Sequence, residues 1–144
     1  MAYNDYNLRR FHHAQDIDYK TALAEIRAGK KRTHWMWFIF PQIHSIGRSQ
    51  IAQYYAISGI EEAQAYLKDK VLKKRIVEIS KALLSLESNN ATEVMGAIDD
   101  KKLQSSMTLF EAADPECEVF RKVLEKFYKG ERCEITLRIL STPD

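Results

Sequence analysis

The sequence predicts an all-α fold, a compact bundle of about seven helical segments in one domain over residues 1–144. Hydrophobic residues make up 45% of the chain and charged residues 29%, which is the ordinary balance of a globular domain. Gly and Pro contribute only 5 and 3 residues, too few to separate the many short strands of a sandwich or barrel. Several tracts instead carry apolar residues at steps of three and four, which is typical of helices.

Helix boundaries in the first half of the chain are predicted from capping residues and apolar spacing. Asp18 can cap a helix that Gly29 ends, and a shorter helix precedes it on the face of Leu8 and Phe11. Ser49 is expected to cap a later helix. The helices predicted in this half cover residues 8–15, 18–29 and 60–67. Residues 48–57 fit a helix or a turn followed by a helix, and the apolar run 35–40 fits either a helix or a strand.

The second half contains the clearest helix, over residues 71–86. Its apolar residues recur at steps of four and three and form the stripe of a core-facing helix: Leu72, Ile76, Ile79, Leu83 and Leu86. A single turn is expected at 93–95. Asp99 is then expected to cap one helix, and Asp114 with Pro115 to begin another that Gly130 ends. The last tract, 135–140, fits a short helix or a strand.

Charge and hydropathy exclude several classes of protein. The 22 basic residues nearly balance the 20 acidic ones, and a net charge of +2 is too small for a dedicated nucleic-acid or membrane-surface protein. The apolar run Trp35–Phe40 is too short to cross a bilayer, and no signal peptide is recognised. We therefore expect a soluble cytoplasmic protein with Cys117 and Cys133 as free thiols. The sequence does not indicate an oligomeric state.

Motifs with high catalytic specificity are missing from the sequence. It contains no glycine-rich dinucleotide fingerprint, P-loop, zinc-protease helix motif or nucleophile elbow. The four histidines, His12, His13, His34 and His44, lack the spacing of metal ligands. We therefore predict neither a metal site nor a cofactor.

The most distinctive string is residues 30–42, where both tryptophans lie two positions apart beside three cations and His34. Because aromatic side chains bury large areas, the favoured interpretation is a core segment. The alternative is a pocket wall, with an aromatic face for a base or ring. In that case His34 and Gln42 would form hydrogen bonds to a ligand, and Lys31, Arg32 or Arg48 would face an anion.

A second distinctive string, residues 100–108, is rich in lysine and hydroxyl side chains. Lys101, Ser105 and Thr108 share one helix face, and the solvated face of an amphipathic helix is the favoured interpretation. Ser and Thr are weak helix formers, so a close approach by another backbone or by a ligand is the alternative. We predict that this helix lies beside the 34–42 string, and we interpret Asp99 and Asp100 as helix N-terminal charges.

These strings resemble the bacterial family called domain of unknown function 1810, over nearly the whole chain. The segment from His34 to Gln42 is the most specific match, and Cys133 is a departure, since the family tends to carry a capping Asp there. The resemblance implies a mostly helical domain and no known activity. The name calpastatin is sometimes attached to such proteins, but that inhibitor is a disordered chain, which the apolar stripes of this sequence contradict.

A remoter likeness is to the YbiA-like NADAR proteins, which are linked to cleavage of ADP-ribose derivatives. It implies binding of a nucleotide or ADP-ribose-like ligand, with hydrolysis of an N-glycosidic bond through an oxocarbenium-like state. Asp100 would then supply the carboxylate and His34 would carry the proton. The predicted ligand-binding residues are Trp35, Trp37, Gln42, Arg48, Ser49, Lys102, Ser105, Ser106 and Thr108. The competing hypothesis is a non-catalytic helical module that binds a ligand or a partner protein through the same surface.

Overall fold

The computed structural model describes residues 6–142 and contains nine α-helices in that range. They are α1 (Arg9–Arg27), α2 (Met36–Ile39), α3 (Gln50–Tyr55), α4 (Ile60–Lys68), α5 (Lys70–Leu84), α6 (Ala91–Met95), α7 (Asp99–Ala113), α8 (Glu118–Tyr128) and α9 (Glu134–Ser141). The prediction of an all-α fold is confirmed, and both segments left open between helix and strand are helices. Within residues 6–142 none of the helices is long and apolar enough to cross a bilayer.

The core is built around α5 and α7. Ile76, Ile79 and Leu83 are buried on α5, as the apolar stripe predicts. The second central helix, α7, packs against α4 and α8. The rings of Phe110 on α7 and Phe120 on α8 lie 5.8 Å apart, centroid to centroid, which is within the range of favourable aromatic pairs.

One long helix, α1, replaces the two short helices predicted between residues 8 and 29. Phe11, Gln15, Tyr19 and Ile26 are all buried on α1, and their steps of four and seven keep them on a single face. Because the apolar faces of the two predicted helices are in register, the chain needs no break at Asp18. The predicted cap at Asp18 is therefore wrong.

Helix starts differ from the prediction in two other places. α8 begins at Glu118, after a turn, and not at Pro115. Asp99 is the first residue of α7 and makes no side-chain cap there. The cap of α3 is confirmed, because the Ser49 hydroxyl accepts a hydrogen bond from the backbone N–H of Ala52 at 3.2 Å.

Arg10 of α1 forms a buried ion pair with Glu62 of α4 and also holds the chain that precedes α4. Arg10 Nη2 lies 2.8 Å from Glu62 Oε2, and the two side chains are only 7% and 3% exposed. The guanidinium also donates to the carbonyl oxygens of Tyr54 and Ala56 at 2.9 and 3.0 Å. Since a buried charge is tolerated only when it is paired and hydrogen-bonded, this set of contacts fixes where the segment runs.

Candidate functional site

A cleft on one face of the molecule consists of two adjoining recesses that share Ala97, Ile98 and Lys102. The smaller, the Trp37 recess, has a volume of about 410 Å³, and its lining includes Lys31, His34, Trp37 and Asp99. The larger, the apolar groove, has a volume of about 1000 Å³, and its lining includes Gln42, Ile46, Lys101, Arg132, Ile135 and Leu137. The prediction that the 34–42 string lies beside the helix of residues 100–108 is confirmed.

Two lysines and one aspartate form the charged floor of the Trp37 recess. Asp99 Oδ2 lies 2.9 Å from Lys31 Nζ, and Asp99 Oδ1 lies 3.5 Å from Lys102 Nζ. Lys102 Nζ also lies 5.4 Å from the centroid of the Trp37 ring, within the range of a cation–π contact. The three ionised side chains together carry one net positive charge, so the recess favours an anion.

The two tryptophans have different roles. Trp35 is 1% exposed, and Lys31 Nζ lies 4.9 Å from its ring centroid. Trp37 is only partly buried and lines the recess. The core interpretation of the aromatic string is therefore correct for Trp35, whereas Trp37 lies in the wall of a recess, and its contact with a ligand stays a prediction.

Glu25 of α1 organises the loop that carries both tryptophans. Its carboxylate accepts hydrogen bonds from the backbone N–H groups of Arg32 and Thr33 and from the indole Nε1 of Trp35 at 2.9 Å. Although burial alone raises a carboxyl pKa, these bonds and that of the Thr33 hydroxyl lower the pKa of Glu25 to about 2. Glu25 is not among the residues predicted from the sequence, and the only signal for it is that a buried indole needs a hydrogen-bond acceptor.

The hydroxyl side chains of α7 attach α9. Ser105 Oγ and Thr136 Oγ1 share a 2.8 Å hydrogen bond in the interior. Thr108 Oγ1 accepts from the backbone N–H of Cys133 at 2.9 Å, at the start of α9. The favoured prediction of a solvated face is therefore wrong for Ser105 and Thr108. Thr108 contacts another backbone, as the alternative predicts, whereas Ser105 contacts the side chain of Thr136.

Three predicted ligand-binding residues lie in the interior and line neither recess. They are Trp35, Ser106 and Thr108. Ser106 is fully buried, and its hydroxyl has no hydrogen-bond partner within residues 6–142. Ser105 is also buried, but it contributes to the wall of the apolar groove.

The structure does not bring the predicted catalytic pair together. His34 lines the Trp37 recess, whereas Asp100 lines a separate recess of about 460 Å³ beside Thr92 and Tyr128. Asp100 Oδ2 accepts a hydrogen bond from Thr92 Oγ1 at 2.5 Å. The carboxylate that shares a recess with His34 is that of Asp99, which the sequence predicts only as a helix cap and a helix N-terminal charge.

Of the remaining predicted residues, Gln42 and Lys102 line the cleft, whereas Arg48 and Ser49 do not. Arg48 is exposed beside the start of α3, and the Ser49 hydroxyl is engaged in capping that helix. In the described range 6–142, no group of three or more His, Cys, Asp or Glu side chains is arranged to hold a metal ion.

The fold and the cleft together define a small all-α protein with a mixed cationic and apolar cleft on one face. The chain belongs to the family described as protein of unknown function (DUF1810), whose model matches residues 5–140. The crystal structure of the conserved hypothetical protein Rv1873 from Mycobacterium tuberculosis is similar, with 40% sequence identity and a TM-score of 0.94. That match covers 96% of this chain and 99% of the other.

The family resemblance predicted from the sequence is thereby confirmed. A comparison with curated proteins returns no match. The remoter likeness to NADAR proteins is not shown by these comparisons.

Proposed function

We propose that the cleft binds an anionic small molecule that carries an aromatic ring, with a nucleotide or an ADP-ribose-like compound as the first candidate. The observation that carries the proposal is the meeting of Trp37 and Lys102 in one recess, 5.4 Å from ammonium to ring centroid. Stacking of a base on an aromatic side chain contributes about 1–3 kcal/mol and tolerates many bases. An ammonium group beside it can hold a phosphate through charge-assisted hydrogen bonds.

The charges along the cleft support an anionic ligand. Lys101 lines the groove and forms no ion pair with any residue in the range 6–142, so its ammonium is available to a ligand. Arg132, by contrast, is engaged with Glu111, since its Nε donates to Oε1 at 2.9 Å. Lys101 and Lys102 are therefore the residues that we assign to the phosphate.

We propose that the cleft binds its ligand without hydrolysing it. Hydrolysis of an N-glycosidic bond needs a carboxylate beside the sugar that stabilises charge or activates water. Asp100 does not line the recess of His34, and both carboxylate oxygens of Asp99 are engaged, Oδ2 by Lys31 Nζ at 2.9 Å and Oδ1 by Lys102 Nζ at 3.5 Å. Hydrolysis of the ligand is therefore the result that would contradict this proposal.

Calorimetric titration with AMP and ADP-ribose tests the proposal. We expect micromolar dissociation constants for the wild-type protein, and weakening of at least about tenfold in Trp37→Ala and Lys102→Ala, because each removes about 1.4 kcal/mol or more. Lys73→Ala is the matched control, since this exposed lysine of α5 lines neither recess and should leave the affinity unchanged.

Two results would overturn the proposal in different ways. No binding heat from millimolar nucleotide, with all variants folded by circular dichroism, would remove the ligand class. Product formation on incubation with ADP-ribose, detected by chromatography, would replace binding by catalysis. A cytoplasmic location, which the sequence predicts, is part of the same proposal, and cell fractionation tests it.

A further inference from the structure

We propose that the ligand of this cleft is amphiphilic, a nucleotide whose phosphate carries an apolar substituent that lies in the apolar groove. This inference rests on the proposed function, because it takes the Trp37 recess as the site of the aromatic ring. It goes further by assigning the second recess and by naming the chemical class of the group that fills it.

The groove exposes several aliphatic side chains to water, and burying them would be favourable. Ile98, Ile135 and Leu137 are 73%, 54% and 45% exposed in the described part of the chain, and all three line the groove. Single exposed apolar residues are ordinary, but several gathered in one concavity indicate a binding surface. An apolar substituent placed there would remove these side chains from water.

The orientation of α9 explains why two of its apolar side chains face outward. Thr136 is fully buried, where its hydroxyl bonds Ser105 at 2.8 Å. Neighbouring residues on a helix are rotated by about 100°, so Ile135 and Leu137, on either side of Thr136, are both turned away from the interior position of Thr136, and both line the groove. In its first turn this helix buries a polar residue and exposes two apolar ones, whereas Ile139 and Leu140 further along pack against the core. The way in which Thr136 attaches α9 to α7 therefore leaves Ile135 and Leu137 exposed.

The positions of Lys101 and Lys102 determine how the ligand would be arranged along the cleft. Lys101 and Lys102 lie in the first turn of α7, and Lys102 belongs to both recesses. A phosphate held there would place a ring on the Trp37 side and a phosphate substituent along Ile98 and α9. The groove, at about 1000 Å³, is at the upper end of the volumes of small-molecule sites. A free nucleotide would leave the aliphatic part of this space unfilled.

The test is a chain-length series of adenosine 5′-phosphate esters, from the unsubstituted nucleotide through methyl and butyl to octyl, measured by calorimetry. Each methylene buried in the groove should tighten binding about three- to fourfold, the equivalent of about 0.8 kcal/mol. Ile135→Ser and Leu137→Ser should flatten this dependence, and they should weaken binding of the octyl ester more than binding of the unsubstituted nucleotide. Ile17→Ser is the matched control, because Ile17 is 79% exposed on α1 and lies outside the groove.

The possible outcomes separate this inference from the proposed function. If the nucleotide binds but longer esters bind no better, the amphiphilic ligand is excluded and the proposed function stands. If neither the nucleotide nor its esters bind, both are excluded. If light scattering shows a dimer that Ile135→Ser and Leu137→Ser dissociate, and the esters do not bind, the groove is an interface between two copies of the chain and the inference is overturned.

Discussion

The indole Nε1 of Trp35 donates a 2.9 Å hydrogen bond to Oε1 of Glu25, and this bond links the loop before α2 to the side of α1. Trp35 is thereby held in the core at the start of α2. Trp37, two residues further, is rotated by about 200° on an ideal helix and faces the recess. One carboxylate on α1 therefore positions the aromatic wall of the candidate site.

Glu25→Gln should lower the free energy of unfolding at pH 7 by about 1–3 kcal/mol, a range reduced for the partial exposure of the carboxylate. The folded-state pKa of about 2 lies below the usual 4.5, so the ionised group stabilises the fold above pH 4.5. That contribution is lost as the pH falls from 4.5 through 2. Urea denaturation at pH 7 and pH 3 should show a smaller difference between wild type and variant at pH 3.

The control for this prediction is Glu87→Gln, since Glu87 is exposed and makes no hydrogen bond with described residues. An equal destabilisation of Glu25→Gln at both pH values would show that the ionised carboxylate is not the stabilising species.

Ile79→Ala should cost about 2–4 kcal/mol of stability, because it leaves a cavity in the centre of the α5 stripe. Ile79 is fully buried, whereas Ile98 is largely exposed in the cleft. Ile98→Ala therefore serves as the comparison and should change stability by less than about 0.5 kcal/mol. Denaturant midpoints that are the same for the two variants would contradict the burial of α5.

Glu62→Gln should destabilise the protein by about 3 kcal/mol, since it leaves the buried guanidinium of Arg10 without its counter-charge. The adjacent Glu61 is exposed on the same helix, α4, and Glu61→Gln is a matched control with an expected change below about 0.5 kcal/mol. Thermal unfolding measures both. A Glu62→Gln variant as stable as the control would mean that the carbonyl contacts of Arg10 alone satisfy its charge.

The hydroxyl pair between α7 and α9 is suited to a double-mutant cycle. Ser105→Ala or Thr136→Val alone should each cost about 1–3 kcal/mol, because each leaves a buried hydroxyl without its partner. The double variant should cost less than the sum of the two, by about 0.5–3 kcal/mol. Additive losses in denaturation experiments would show that the two hydroxyls do not interact.

Much of the fold could be predicted from the sequence, because apolar stripes such as that of Ile76, Ile79 and Leu83 depend only on local spacing. The neighbourhood of Trp37 and Lys102 was also predicted, since two unusual strings are most simply explained by one shared site. What spacing cannot supply is the rotation of a helix against its neighbours, which depends on the tertiary packing.

That rotation accounts for the main error at the candidate site. Asp99 and Asp100 are adjacent, and a step of about 100° turns one toward the Trp37 recess and the other toward Thr92 and Tyr128. Choosing between them requires knowing which face of α7 packs inward. The same holds for Ser105 and Thr108, which are buried because α9 packs against them.

The attachment of α9 through hydroxyl groups has a consequence for the dynamics of the protein. Thr136 is the one fully buried residue of α9 in the described chain, and the apolar contacts of this helix with the core come from Ile139 and Leu140, which are only partly buried. Segments with few buried apolar contacts open locally at a lower free energy than the whole molecule. Amide hydrogens of α9 should therefore exchange with solvent deuterium well before those of α5. A ligand that bridges α7 and α9 would slow this exchange without touching the core.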